Sequence, residues 1–161
     1  MSASGQQSQA AVSGAGVLTA PYTLEYTYRR STGPLIGRFL AGLQEKRLLG
    51  ARTRGGDVLV PPPEYAPGTG EPLVELVEVA ATGVVTTWAW VSQPRDRDPL
   101  SHPFAWALVR LDGANSSMLH VVDAGLPERM STGMHVRVRW SETREGSIRD
   151  IACFEPCEEA P

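Results

Sequence analysis

Between Thr82 and Val91 the chain reads TGVVTTWAWV, a run of β-branched and aromatic residues with no proline. Such residues suit a pleated surface with bulk on both sides. Their period of two sets Val84, Thr86, Trp88 and Trp90 on one face and Val85, Thr87, Ala89 and Val91 on the other. The same reading repeats along the chain. Leu76 to Val79 forms a short strand ahead of this one, and Phe104 to Leu111 is apolar on both faces apart from Arg110. Met118 to Val122 runs into a turn at residues 123–127, DAGLP. His135 to Trp140 alternates, with Val136, Val138 and Trp140 interleaved by Arg137 and Arg139, and Ser147 to Phe154 closes the series.

Around five strands with glycine at the bends, within about 80 residues, predict a mainly β protein built on a small closed Greek-key barrel of the OB type. That barrel is expected over residues 73–156, with a short tail at 157–161. Ahead of it, residues 1–20 are mostly Ser, Gly, Ala and Gln without periodicity, the composition of a disordered tail. An arm and a helix follow over residues 21–47. Tyr22, Leu24, Tyr26 and Tyr28 alternate, which gives an extended arm with one aromatic face, packed on its own domain or on a partner. Ser31 or Thr32 is placed to cap the helix, and Pro34 is tolerated in its first turn. Leu35, Ile36, Phe39, Leu40 and Leu43 recur at helical spacing. This stripe either closes one end of the barrel or docks on another protein.

With 161 residues and a net charge of -3, the chain has the size and balance of one soluble domain. It contains no run of roughly 18 apolar residues that could span a bilayer. Its N-terminus lacks the basic start and apolar stretch of a secretory signal. Cys153 and Cys157 are its two cysteines. A reduced, cytoplasmic setting is therefore expected, in which the sequon match at Asn115-Ser-Ser117 carries no meaning. Lys46 is the sole lysine among 15 basic residues, an arginine bias that fits a GC-rich genome better than a nucleic-acid surface.

Groups for bond-making chemistry are scarce. His102, His120 and His135 sit beside apolar residues and outside any metal-ligand spacing, as structural or solvent-facing imidazoles do. Cys153 and Cys157 are crowded by Glu155, Glu158 and Glu159, and negative charge opposes a reactive thiolate. Neither a P-loop nor a dinucleotide fingerprint is present. No catalytic residue is expected. Arg95-Asp-Arg-Asp98 reads most simply as a solvated hairpin tip.

Residues 48–72 form a further segment, with a Gly-Gly turn at Gly55 and Gly56, a short strand from Asp57 to Val60, a triple proline at 61–63 and a second turn at residues 66–70, APGTG. Two tight turns joined by a rigid crossing are the frame of a zinc ribbon. These framing residues resemble those of the DUF35 family, acyl-CoA-associated proteins that join a rubredoxin-like zinc ribbon to an OB-fold. Later stretches carry more of the resemblance: GVVTTWAW from Gly83, HPFAWALVRLD from His102, GMHVRV from Gly133 and DIACFEP from Asp150. The arm and helix, YTLEYTYRR and GPLIGRFLAGL, are similar to those of actinobacterial members that lack ribbon cysteines and accompany thiolase-like lipid-transfer proteins in steroid catabolism.

Aligned on Pro61-Pro62 and Pro67, the family's four zinc ligands fall on Arg52, Gly55, Ala66 and Thr69. None of these holds zinc, so the resemblance implies a metal-free ribbon and no cofactor. It also implies a noncatalytic subunit in a hetero-oligomer with a thiolase-like enzyme, the complex holding an acyl-CoA. The expected partner interface is Tyr26, Tyr28, Leu35, Ile36, Phe39, Leu43, Trp88 and Trp90. Phosphates and adenine suit Arg forks and aromatic faces, so Arg95, Arg97, His102 and Phe104 are the expected acyl-CoA contacts. The competing reading is an OB module for single-stranded nucleic acid. The net charge of -3 and the thin basic track of Arg137 and Arg139 stand against it.

Overall fold

The structure, a computed structural model, describes residues 20, 22–25 and 31–158. The segment up to Ser31 is one unit and the chain from Thr32 onward another. In the first, residues 22–25 carry no helix or strand, with Tyr22 and Leu24 exposed. Tyr26 and Tyr28 lie outside the described residues.

The second unit opens with helix α1, Pro34–Gln44, then strands β1, Leu48–Arg52, and β2, Val58–Leu59. β3, Leu76–Val79, precedes β4, Thr82–Val91; β5, Phe104–Leu111; and β6, Met118–Val122. β7, His135–Trp140, and β8, Ile151–Pro156, complete the order. β4, β5, β6, β8 and β7 close into a barrel in that sequence. All its pairs are antiparallel except β6 with β8, which meet in parallel at Val122 and Phe154. β3 falls within the stretch assigned to the barrel, yet it pairs with β1, giving a separate sheet of order β2-β1-β3. β1 has no counterpart in the strands expected from the sequence.

The two-residue period along β4 does not hold from end to end. The register with β5 slips between Val85 and Thr87, leaving Thr86 as an extra, bulged residue. A bulge inverts which parity faces the core. Val85 before it and Trp88 and Trp90 after it therefore all pack against one core, while Thr87 and Ala89 are exposed. Across the strands Trp88 faces Ala107 and Trp90 faces Ala105, so large indoles stand opposite methyl groups. Gly83 is required by close approach: a Cβ there would lie 2.8 Å from the Leu111 Cα.

Leu35, Phe39 and Leu43 are buried. Phe39 and Leu43 join the main core with Met118, Val138 and Phe154, and Leu35 packs with Ala51, Ala66 and Leu73. Three of the stripe's five residues are core, and Ile36 and Leu40 are half-buried. Capping differs from the expectation on Ser31 or Thr32. The N-cap is Gly33, with no side-chain cap from its own segment. Glu64 supplies the acceptor instead, its Oε1 taking the N–H of Leu35 at 2.9 Å and of Ile36 at 3.5 Å. Gly33, at φ 85, leaves room for that carboxylate. At the other end Arg47 N–H bonds to the Gly42 carbonyl and Lys46 N–H to that of Leu43, a Schellman closure with Lys46 at φ 60.

The last strand starts later than the expected Ser147. Asp150 accepts the N–H groups of Glu145 and Gly146 at 3.0 and 2.8 Å, and Ile148–Asp150 winds into a single 3-10 turn.

Candidate partner interface

The outer surface of β4, β5 and β6 is made of three cross-strand rows. Thr87, Leu108 and Leu119 form one, Ala89, Trp106 and Val121 the next, and Val91 with Phe104 the last. Over the lower rows Phe104, Val121 and Cys153 are buried in a small third cluster, joined by Val91, Trp106 and Leu100 of the loop between β4 and β5. Phe104 meets Trp106 edge-on at 5.7 Å. The upper row stays open: Leu108 is 37% exposed and Leu119 61%. In the OB architecture the face of the second and third barrel strands, here β5 and β6, is the side that takes ligands.

A ladder of charges flanks this face. Arg137 Nε lies 2.8 Å from Glu155 Oε1, and Arg139 reaches both Glu155 at 3.6 Å and Asp123 at 3.0 Å. His102 Nε2 lies 3.2 Å from the same Asp123 oxygen and so ties the β4–β5 loop to the end of β6. Burial alone would raise the Asp123 carboxyl. Arg139 and His102 outweigh it and hold the group below the usual carboxylate range. The two arginines of the expected basic track are thus each paired with a carboxylate.

The expected acyl-CoA contacts do not converge. Arg95 and Arg97 are exposed on the loop, whose tip is tied by Asp98 accepting the Arg95 N–H at 2.7 Å. A shallow pocket of about 370 Å³ lies between Pro94 and Ser101, and of the four residues only Arg95 lines it, beside Asp96 and Asp98. Two carboxylates oppose a phosphate there. Phe104 is fully buried beneath its own loop, so it has no ring face for an adenine.

The expected partner residues are corrected in part. Leu35, Phe39 and Leu43 are covered by the chain's own β1, ribbon and barrel residues and offer no surface. Trp88 and Trp90 are partly buried against the main core. Ile36 is half-buried. Leu108 and Leu119 were not anticipated. β5 is apolar on both faces, and the bulge at Thr86 hides which face of β4 looks outward.

Among the described residues no group of three or more His, Cys, Asp or Glu could hold a metal ion. At the four positions aligned with zinc ligands, Arg52 pairs with Glu75 at 3.1 Å, Ala66 is buried, and Gly55 and Thr69 lie in turns. A guanidinium, a methyl, a bare Cα and a hydroxyl do not fit zinc. His120 is buried opposite Ala107, edge-on to Phe154 at 5.6 Å, its Nδ1 without a hydrogen-bond partner. Burial lowers its pKa, keeping the ring neutral. Burial, with help from Asp123 and Glu155, pushes the Cys153 thiol up to about 11 against the pull of Arg139. Cys157 is also raised, chiefly by burial.

Residues 76–141 match the family model described as ChsH2, C-terminal OB-fold domain. The chain is 28% identical over 111 residues to a DUF35 domain-containing scaffold protein of Pyrococcus furiosus, covering 68% of this chain and 81% of that one. Among solved structures, the Ltp2-ChsH2(DUF35) aldolase superposes with a TM-score of 0.58 at 21% identity, over 80% of this chain and 98% of that chain. A DUF35-family protein of unknown function from Sulfolobus solfataricus gives a TM-score of 0.54 at 19% identity, over 66% of this chain and 78% of that one. At such identities the structural likeness speaks for the fold.

Proposed function

We propose that this chain, which is similar to OB-fold proteins of the DUF35 family, is a noncatalytic accessory subunit that docks on a thiolase-like enzyme and helps shape its substrate site. The observation that carries this reading is the open apolar row of Leu108 and Leu119 on the β5–β6 face, beside exposed Ala89 and Thr87. A face of this kind suits a protein surface, since contiguous exposed apolar side chains mark interaction sites. The relatives support the choice of occupant: one is a scaffold protein, and another stands in an aldolase complex. Within that complex the family resemblance points to bulky acyl-CoA thioesters, steroid-derived ones included, as what the partner acts on. The partner supplies nucleophile and base, and this chain supplies surface that positions the substrate.

The nucleic-acid reading loses ground on one observation. Arg137 and Arg139, its basic track, are neutralised by Glu155 and Asp123. The experiment is co-expression with a thiolase-like lipid-transfer protein, followed by co-purification and matched kinetics with and without it. A stable complex with raised turnover is expected. A chain that stays apart from that enzyme, or that shifts single-stranded oligonucleotides at moderate salt, overturns the reading.

A further inference from the structure

β2 is the outer strand of the β2-β1-β3 sheet, so its far edge would present unpaired backbone groups. Two residues of the loop between β5 and β6 take that place. Val58 N–H donates to Asn115 Oδ1 at 2.8 Å, and Asn115 N–H donates to the Val58 carbonyl at 2.8 Å. Val60 N–H donates to Ser116 Oγ at 2.7 Å, and that hydroxyl donates to the Val60 carbonyl at 3.0 Å. Each loop residue thus satisfies both backbone groups of one residue in or beside β2, as a neighbouring strand does.

Beyond β2, Glu64 binds the ribbon to the start of α1. Ala66, at one of the positions aligned with zinc ligands, is buried with Leu35, Ala51 and Leu73. Two ion pairs, Arg52 with Glu75 and Arg54 with Glu71, cross the same turns, but their side chains are exposed. Exposed pairs contribute little. Backbone bonds close each turn on itself, Gly56 N–H to the Thr53 carbonyl and Gly70 N–H to that of Ala66, while the buried cluster, Glu64 and the hydrogen bonds to β2 fasten the turns to the helix and the barrel.

We propose that Asn115, Ser116 and Glu64 do in this ribbon what a zinc ion does in a metal-binding one, fastening it to the barrel and to α1. The ribbon then folds without metal, and its local stability depends on the barrel's β5–β6 loop. This stands apart from the docking proposal, because its readout is local protection in the isolated full-length chain.

The test is residue-resolved amide hydrogen exchange. Treatment with EDTA, or addition of zinc, should leave Val58 and Val60 exchange unchanged. Asn115→Ala and Ser116→Ala should speed exchange at Val58 and Val60 by about tenfold or more, leaving Val109 and Val122 in the barrel as they were. Zinc-dependent protection, or wild-type exchange at Val58 and Val60 in both variants, overturns the proposal. Should the alanine variants not fold, Ser116→Thr keeps the hydroxyl and Ser116→Val lacks it. Protection at Val60 with the first and loss with the second is the expected pair, and equal exchange in the two overturns it.

Discussion

Glu64 caps the helix that Leu35 begins: its Oε1 accepts the Leu35 N–H at 2.9 Å from 29 residues further along the chain. A carboxylate at a helix N-terminus satisfies an orphan donor and lies at the positive end of the helix dipole. Glu64→Ala is therefore expected to lower stability by about 1 kcal/mol. Glu64→Gln, which keeps an acceptor and loses the charge, should cost less. Urea unfolding of the full chain measures both, and a change near zero for Glu64→Ala would remove the cap from the account.

Leu108 and Leu119 project outward from adjacent strands, so charge placed there should leave the fold intact. Leu108→Asp and Leu119→Asp are expected to weaken binding to the thiolase-like partner by about tenfold or more each. Circular dichroism and thermal unfolding of the isolated variants should match wild type. Undiminished co-purification of the double variant would move the interface elsewhere on the molecule.

Burial lowers the pKa of His120, outweighing the backbone of Val121 and Ile148, which favours the imidazolium. The unfolded chain then takes up this proton at a higher pH than the folded one does. Its contribution to stability is complete above the ordinary value of about 6.5 and is lost as pH falls through that value toward the lower folded pKa. Unfolding free energy should drop between about pH 7.5 and pH 5. In His120→Leu this part of the drop should vanish, which paired denaturant titrations at the two pH values would reveal.

With its thiol pushed up to about 11, Cys153 is almost wholly protonated at neutral pH. Iodoacetamide should leave it unmodified in the folded protein and label it in urea, as peptide mass spectrometry would read. Alanine at Cys153, His102, His120 or His135 should keep turnover of the partner complex within about tenfold, a barrier change of about 1.4 kcal/mol. A thousandfold loss from any one of them, with the complex intact, would contradict the noncatalytic role.

Strand limits were legible wherever they depend on neighbours in the chain. β3, β4, β5, β6 and β7 occupy the stretches that alternation and flanking breakers mark out, because pleat, β-branching and glycine or proline punctuation act over a few residues. α1 is likewise read from its 3.6-residue stripe. β1 was not, since LLGAR has no alternation of its own and becomes a strand by lying between β2 and β3.

The sequence by itself determined the fold class, the poverty of catalytic groups and that Arg52, Gly55, Ala66 and Thr69 carry no zinc donor, since composition and residue identity suffice for these. Tertiary structure alone decided what faces outward. One extra residue at Thr86 turned Trp88 and Trp90 toward the core, and loop coverage buried Phe104 while leaving Leu119 open. It also decided that Glu64 caps α1 and that Asn115 and Ser116 line the edge of β2. These pairings join residues tens of positions apart. Nothing local to either partner encodes them, because they exist only once the barrel has brought the two segments within hydrogen-bonding distance.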